Sequence, residues 1–327
     1  MRRGLSFPLW LLLVLVATSA EAQVAIGRLH GAISYNSQRL PLTGWVAYLD
    51  VSSGQLQPVV TPPLKPNACA HATVQLQTTA AFALQQTTFL AINANLGPAM
   101  PPYPPGACGT PYGLLVSNGV PVNPFQPGPV LVFTSNTRAT VSAPSSVPSG
   151  TYAVAGWAGT DGSGTLLVTP PAGQGPPTPS TKVQPAPTTV APRVGVGITA
   201  DGSALILAMI DGLEPTLGLQ NYDFGNVMIG LGANAAVNLD GGGSSTFIFT
   251  PPAGATLQTP PALLTLLTSA AAPAGALNGL SFTLMSMPLT QAWTSAPPCV
   301  QPCTYRAIYA NLGFTLVPGG AAQPKKD

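Results

Sequence analysis

The sequence predicts an α+β fold in which strands predominate: mixed sheets with two or three packed helices, in a single domain. Three observations point there. Apolar runs are short and bounded by glycine, proline, asparagine or aspartate, the punctuation of strands and tight turns. The chain holds 38 prolines and 35 glycines, so few stretches can continue as helix. Charged residues are only 6% of the total, against about 25% in an average globular protein. With abundant Thr, Gln and Ala, that balance reads as a secreted, turn-rich protein.

The first 22 residues stand apart. Arg2 and Arg3 precede an apolar run from Leu9 to Val16, and Ala20-Glu21-Ala22 supplies a small-x-small cleavage pattern. This predicts a signal peptide cleaved near Ala22 and a secreted or periplasmic protein. No later apolar run reaches about 18 residues, so no membrane span is expected after it. Nine basic and eight acidic residues remain once Arg2, Arg3 and Glu21 are removed. A net charge near zero argues against nucleic acid as a partner.

The elements follow in order from Gly44. Residues 44–51 read as a strand, Ser52-Ser53-Gly54 as a turn, and 55–60 as the returning strand of a hairpin. From Thr73 to Gln86 neither proline nor glycine interrupts a stretch rich in Ala, Leu and Gln, which predicts the first helix. Phe89 to Asn93 is a short buried strand, with Asn93 and Asn95 at its end. Leu114 to Val122 is a hairpin turning at Asn118-Gly119, a pair that accepts positive φ. Strands are expected near 130–134, 151–157 and 165–168. Residues 169–189, rich in Pro, Thr and Gly, are expected as an exposed loop, either a linker or an insertion. Val194–Ile198 and Ala204–Ile210 form strands around a turn at Asp201-Gly202. A helix covers about Asn221–Leu231, and strands cover 235–239 and 246–249. The organisation expected is a domain over 23–320 and a tail over 321–327.

Four cysteines, an even number in an exported chain, favour disulfides. Cys69–Cys108 with Cys299–Cys303 is the most local pairing. The spacings match no zinc motif, and the only histidines, His30 and His71, lie far from Cys299 in sequence.

So few charges make the search for chemistry short. Asp161 and Asp201 precede glycine in solvent turns, Asp50 ends a strand, and Asp223 sits in the first turn of a helix, where the dipole favours an acid. Asp211, Glu214 and Asp240 remain. Asp211 and Asp240 each close an apolar strand ahead of glycine, so neighbouring strands would put both carboxylates on one rim. Asp240 leads into Gly241-Gly242-Gly243-Ser244-Ser245. Three glycines lose more backbone freedom than a turn requires. Bare amides in succession form an anion cradle, and a carboxylate beside one can act on a sugar or an ester. A plain flexible hairpin is the alternative. Asp240 and Asn238 could also hold a structural calcium, although no EF-hand spacing is present; no other cofactor is indicated. Nucleophile-elbow and phosphate-loop motifs are absent, and Gly195-x-Gly197-x-x-Ala200 precedes a turn and strand, where a dinucleotide motif needs a helix. Arg193 and Arg306 are fork-shaped donors suited to phosphate or carboxylate.

Several segments together resemble the phosphodiester glycosidase family. They are "PRVGVGITADGSALILAMIDG", "AAVNLDGGGSSTF", "TTFLAINANLG", "YGLLVSNGVPVNP" and "YRAIYANLGFTLV". The resemblance spans most of residues 44–316 and implies a sugar-phosphate or other carbohydrate substrate. By position it implies a site of Asn93, Arg193, Asp211, Asn238, Asp240, Gly241, Gly242, Gly243, Ser244, Ser245, Arg306 and Asn311. Asp240 and Asp211 would be catalytic and the rest would bind substrate or phosphate, with the roles of the two aspartates exchangeable. Two segments depart from the family pattern where a pocket would be lined: Ala94-Asn95-Leu96-Gly97 after Asn93, and Leu213 after Asp211-Gly212. A non-catalytic glycan- or envelope-binding protein that retains the fold is the competing expectation.

Overall fold

The computed structural model describes residues 24–35, 38–64, 72–98, 104–123, 128–142, 151–156, 166–173, 175–181, 189–212, 218–250, 281–284, 291–294 and 307–317. The expected signal peptide, Cys69, His71, Asp161, Leu213, Glu214, Cys299, Cys303, Arg306 and the expected 321–327 tail all lie outside them.

Strands dominate, as expected, and the described residues hold two α-helices. Every described strand pairing is antiparallel, where mixed sheets were expected. Three sheets enclose one principal core. The largest has eight strands, in the order 178–179, 168–169, 235–238, 193–198, 204–210, 38–50, 24–35 and 281–284. A second has five, in the order 291–294, 246–249, 90–93, 311–316 and 56–60. The third also has five, in the order 138–142, 130–135, 152–155, 115–117 and 120–121. Alternation along each strand sends one face inward. Val194, Val196 and Val237 from the first sheet, Leu90, Phe247 and Phe314 from the second, and Leu115, Phe133 and Val154 from the third meet in the same cluster. Phe133 and Phe314 join two sheets edge to face, with ring centroids 6.0 Å apart.

Helix α2 (Asn221–Gly230) covers the other face of the large sheet. There Phe224, Val227 and Met228 bury against Tyr48, Ile206 and Ala208. Each such side chain contributes about 1.5–3 kcal/mol on leaving water. The strand Arg193–Ile198 alternates valine with glycine because α2 comes so close. A Cβ on Gly195 would lie 2.8 Å from Phe224, and one on Gly197 3.0 Å from Met228. These glycines are a packing device, which accounts for the dinucleotide-like spelling. The Tyr48 hydroxyl donates to Leu231 O at 2.7 Å and ties down the end of the helix, its pKa raised by burial. Helix α1 (Thr79–Gln86) packs Phe82 and Ala83 on Ala91 and Ile248 of the second sheet.

Three sequence expectations are corrected, and one strand is added. The helix expected over 73–86 begins only at Thr79, because Val74–Gln75 pairs with Cys108–Gly109 and Thr78 caps the helix by accepting from the Ala81 amide at 3.0 Å. Residues 44–60 are not a hairpin: the strand Gln38–Asp50 pairs with 204–210, and Leu56–Val60 pairs with 311–316 in another sheet. The turn between them is held by Asp50, whose carboxylate accepts the Ser52 amide at 2.9 Å. The Pro-rich segment is partly sheet, since Val168–Thr169 pairs with Thr178–Pro179. It also packs beneath α2, where a Cβ on Gly225 would meet Pro179 at 2.8 Å. Arg138–Ser142, unassigned in the sequence, pairs with 130–135.

Candidate functional site

The site candidates gather where the large sheet meets the second sheet. The strand Ala235–Asn238 ends one residue before Leu239, whose amide still donates to Val194 O at 2.8 Å. Asp240 then turns toward the second sheet. Its amide donates to Ala94 O at 2.8 Å, and its carbonyl accepts from Asn93 Nδ2 at 2.5 Å. The other end of the same Asn93 amide, Oδ1, accepts from the Thr246 amide at 2.9 Å. One buried side chain thus grips both ends of the glycine-rich turn. Asn93, expected to bind substrate, has both polar atoms engaged with backbone and is completely buried.

The turn itself is ordered. Gly242–Ser244 forms a single 3-10 turn, closed by Ser244 N to Gly241 O at 3.2 Å and Ser245 N to Gly242 O at 3.1 Å. Gly242 has φ +60°, a conformation side chains disfavour, and its amide donates to Pro192 O at 2.9 Å. The amides of Gly241 and Gly243 have no intramolecular acceptor among the described residues. Of the three glycine amides expected in the cradle, that of Gly242 is thus taken up by the backbone. Asp240 is 7% exposed, Ser244 nearly buried and Ser245 fully buried.

Pro192 explains why both candidate aspartates precede glycine. A Cβ on Gly241 would stand 2.8 Å from Pro192 O, and a Cβ on Gly212 would collide with the Pro192 ring. The Pro192–Arg193 segment lies between Asp211-Gly212 and Asp240-Gly241, as the register requires: Arg193 pairs with Ile210 on one side and Gly195 with Asn238 on the other. Asp211 and Asp240 accordingly share one rim. With one strand between them, their backbones stand about 10 Å apart, twice the interstrand spacing. Asp211 is half-buried; its amide donates to Thr43 O at 2.9 Å and its carboxylate accepts the Gly212 amide at 2.7 Å.

Arg193 is 4% exposed. Its Nε donates to Leu219 O at 2.8 Å and its Nη2 to Thr189 O. Burial pushes its guanidinium down to about 10, which leaves it charged at neutral pH. The two bonds fix the connection between Thr189 and Leu219.

Asn311 lies directly opposite Asn93 in the second sheet, and Asn238 ends the strand before Asp240. Both are buried, and both carry side-chain atoms with no hydrogen-bond partner among the described residues: Oδ1 of Asn238, and Oδ1 and Nδ2 of Asn311. The role of Pro192 was missed in the sequence, although the repeated Asp-Gly pair was a signal for it. Cys108 is disulfide-bonded, and its three possible partners lie outside the described residues. Among the described residues no group of three or more His, Cys, Asp or Glu is placed to hold a metal, and no helix is long and apolar enough to cross a membrane.

No curated protein is similar enough in sequence to count as a relative. The fold resembles the catalytic domain of zebrafish N-acetylglucosamine-1-phosphodiester alpha-N-acetylglucosaminidase auto-inhibited by its pro-peptide. That match has a TM-score of 0.55 and 16% identity over 89% of this chain and 82% of that one. A hypothetical protein from Synechocystis is more distant, at TM-score 0.46 and 13% identity over 90% of this chain and 62% of that one. The family model for phosphodiester glycosidase matches residues 80–265, a span that runs from α1 through the glycine-rich turn and beyond. It covers more than half of the sequence, and the chain belongs to the phosphodiester glycosidase family.

Proposed function

We propose that this protein is an exported glycosidase that hydrolyses the sugar C1–O bond of a sugar-1-phosphodiester or a related cell-surface glycan linkage. One observation carries the reading. Asp240 is a nearly buried carboxylate whose amide and carbonyl are both fixed, beside two glycines whose amides have no acceptor among the described residues, at the end of the strand next to the one that opens with the buried Arg193. Glycoside cleavage ordinarily needs two carboxylates, one protonating the leaving oxygen. A phosphate ester leaves readily with the bonding electron pair, so protonation matters less. Asp240 then takes the attacking role, as nucleophile at C1 or as base toward water. Water supplies the new hydroxyl on C1, and its proton passes to a carboxylate. Asp211, across Pro192, serves as partner or substrate ligand. The amides of Gly241 and Gly243, with Arg193 and Arg306, hold the phosphate. Cys69–Cys108 and Cys299–Cys303 would brace the exported domain.

The test is sugar release from UDP-N-acetylglucosamine, other sugar-1-phosphodiesters and nitrophenyl glycosides. Asp240→Asn should lower turnover at least about 100-fold, the low end of what a positioned acid or base supplies. Both backbone bonds of residue 240 are untouched by the change, and thermal melts check that the variant stays folded. Equal activity in the variant would remove Asp240 from the mechanism. Silence of the folded wild type across the panel would favour a glycan- or envelope-binding protein that retains the fold.

A further inference from the structure

We propose that Asn95 is a positioning residue for Asp240, an inference that rests on the glycosidase reading of the same site. The Asp240 backbone is gripped from two neighbouring residues. Asn93 Nδ2 donates to its carbonyl, and Ala94 O accepts its amide at 2.8 Å. The Ala94 carbonyl belongs to the peptide unit that ends at the Asn95 Cα, and that unit is planar. Where the carbonyl sits is therefore set by what anchors the residues at the two ends of the plane. Ala94 is anchored by its own amide, which donates to Ala310 O at 2.8 Å. Asn95 is anchored by its side chain.

Both N–H groups and the oxygen of that side chain are engaged. Nδ2 donates to Tyr112 O at 2.9 Å and to Leu114 O at 3.0 Å, and Oδ1 accepts the Ala155 amide at 3.2 Å. Leu114 leads into the strand Leu115–Ser117, and Ala155 ends the neighbouring strand Tyr152–Ala155 of the third sheet. One amide thus ties the end of a second-sheet strand to two strands of the third. Asn95 is completely buried, where an amide is costly unless its bonds are made. Ala94 and Asn95 also stand at one of the two departures from the family pattern. Both are fully buried there, so the departure adds a brace to the residue that carries Asp240.

Asn123 supplies the comparison. Its Nδ2 donates to Pro111 O at 3.1 Å and to Gly113 O, so it grips the same segment that Asn95 does. It is also buried, and among the described residues its side-chain bonds go nowhere else. Asn123 fixes the segment from the far side, without touching residues 93–95.

The experiment compares wild type with Asn95→Ala and Asn123→Ala, and with Asn95→Ser, a milder change that serves if the alanine variant does not fold. Thermal melts confirm folding. Hydrolysis of UDP-N-acetylglucosamine, other sugar-1-phosphodiesters and nitrophenyl glycosides is read as kcat and KM. Hydrogen exchange is read at the Asp240 amide and at the Leu239 amide, which donates to Val194 O within the large sheet. Asn95→Ala should lower kcat about tenfold or more with KM changed less than about threefold, since a misplacement of about 1 Å costs roughly 100-fold. Asn123→Ala should lose stability and keep both constants within about threefold of wild type. Exchange at Asp240 should quicken about tenfold relative to Leu239 in Asn95→Ala alone, as local opening rather than global unfolding.

An active wild type whose kcat falls equally in Asn95→Ala and Asn123→Ala, or in neither, overturns the positioning role and leaves the glycosidase reading standing. Exchange that quickens equally at Asp240 and Leu239 overturns it whatever the activity. A wild type that hydrolyses nothing, with exchange quickened selectively at Asp240 in Asn95→Ala, keeps the brace and removes the enzyme.

Discussion

The side-chain amide of Asn93 donates to the carbonyl oxygen of Asp240 at 2.5 Å, across the junction of two sheets. With its oxygen on the Thr246 amide, this one residue closes the loop that carries the candidate chemistry. Asn93→Ala would leave a buried acceptor and a buried donor without partners. That should destabilise the protein by about 3 kcal/mol, since each orphaned group costs about 1–3 kcal/mol. Asn93→Asp should not rescue it, because Nδ2 is a required donor. Urea denaturation measures both, and an Asn93→Ala protein within about 0.5 kcal/mol of wild type, the spread of an indifferent site, would contradict the clamp.

Pro192 separates Gly212 from Gly241, and the two contacts differ in kind. Gly212→Ala meets the proline ring, a side chain that can be removed; Gly241→Ala meets the carbonyl of the same residue, which cannot. Each substitution should cost about 1–3 kcal/mol as overpacking. Pro192→Ala should recover a good part of the Gly212→Ala loss and none of the Gly241→Ala loss. A double-mutant cycle of melting measurements checks this, and equal coupling for the two glycines would refute the assignment.

How much of this was legible in the sequence depended on how local each cause was. The hairpin at Asn118-Gly119 was readable because its turn is its own explanation: φ is +50° and +76° at those residues. The strand Leu56–Val60 was readable as a strand but not in its partner, because Leu312–Leu316 is brought to it only by the completed core. Val74–Gln75 looked helical by composition and is a strand because Cys108–Gly109 pairs with it. The same holds at the site. Asp240 ahead of three glycines stood out as a candidate because the pattern is contiguous. Asn93 and Arg193 were singled out as ligands, but nothing in a linear string shows that their polar atoms meet the backbone of residues 240, 246, 219 and 189.

Asp201 offers a pH test away from the site. Its carboxylate accepts from the hydroxyls of Thr199 at 2.6 Å and Ser203 at 2.7 Å and from the Ser203 amide at 3.1 Å. Those bonds hold its pKa below the ordinary carboxylate value. A depressed folded-state pKa stabilises above the unfolded-state pKa, and the benefit is lost as pH falls through the folded one. Asp201→Asn should therefore melt slightly lower than wild type at neutral pH. The gap should close as the pH drops below the carboxylate range; a gap that is constant or widens in acid would show that the charge is not the cause.

Asn311 separates stability from function. It is fully buried, and neither polar atom of its side chain has a hydrogen-bond partner among the described residues. Its main chain is secure, with its amide on Thr61 Oγ1 at 2.8 Å and its carbonyl receiving the Thr61 amide at 3.1 Å. A buried amide without partners costs about 1–3 kcal/mol in desolvation, and an apolar side chain of similar shape does not carry that penalty. Asn311→Leu should thus fold as stably as wild type or about 1 kcal/mol better, whereas its neighbour's Asn93→Ala loses stability. If the amide is kept for substrate, the same Asn311→Leu protein should lose sugar release from the substrates that wild type cleaves. Melting and hydrolysis measured on one preparation decide the matter. A large loss of stability would mean that the amide has a structural partner, and full turnover in a stable variant would take Asn311 out of the site.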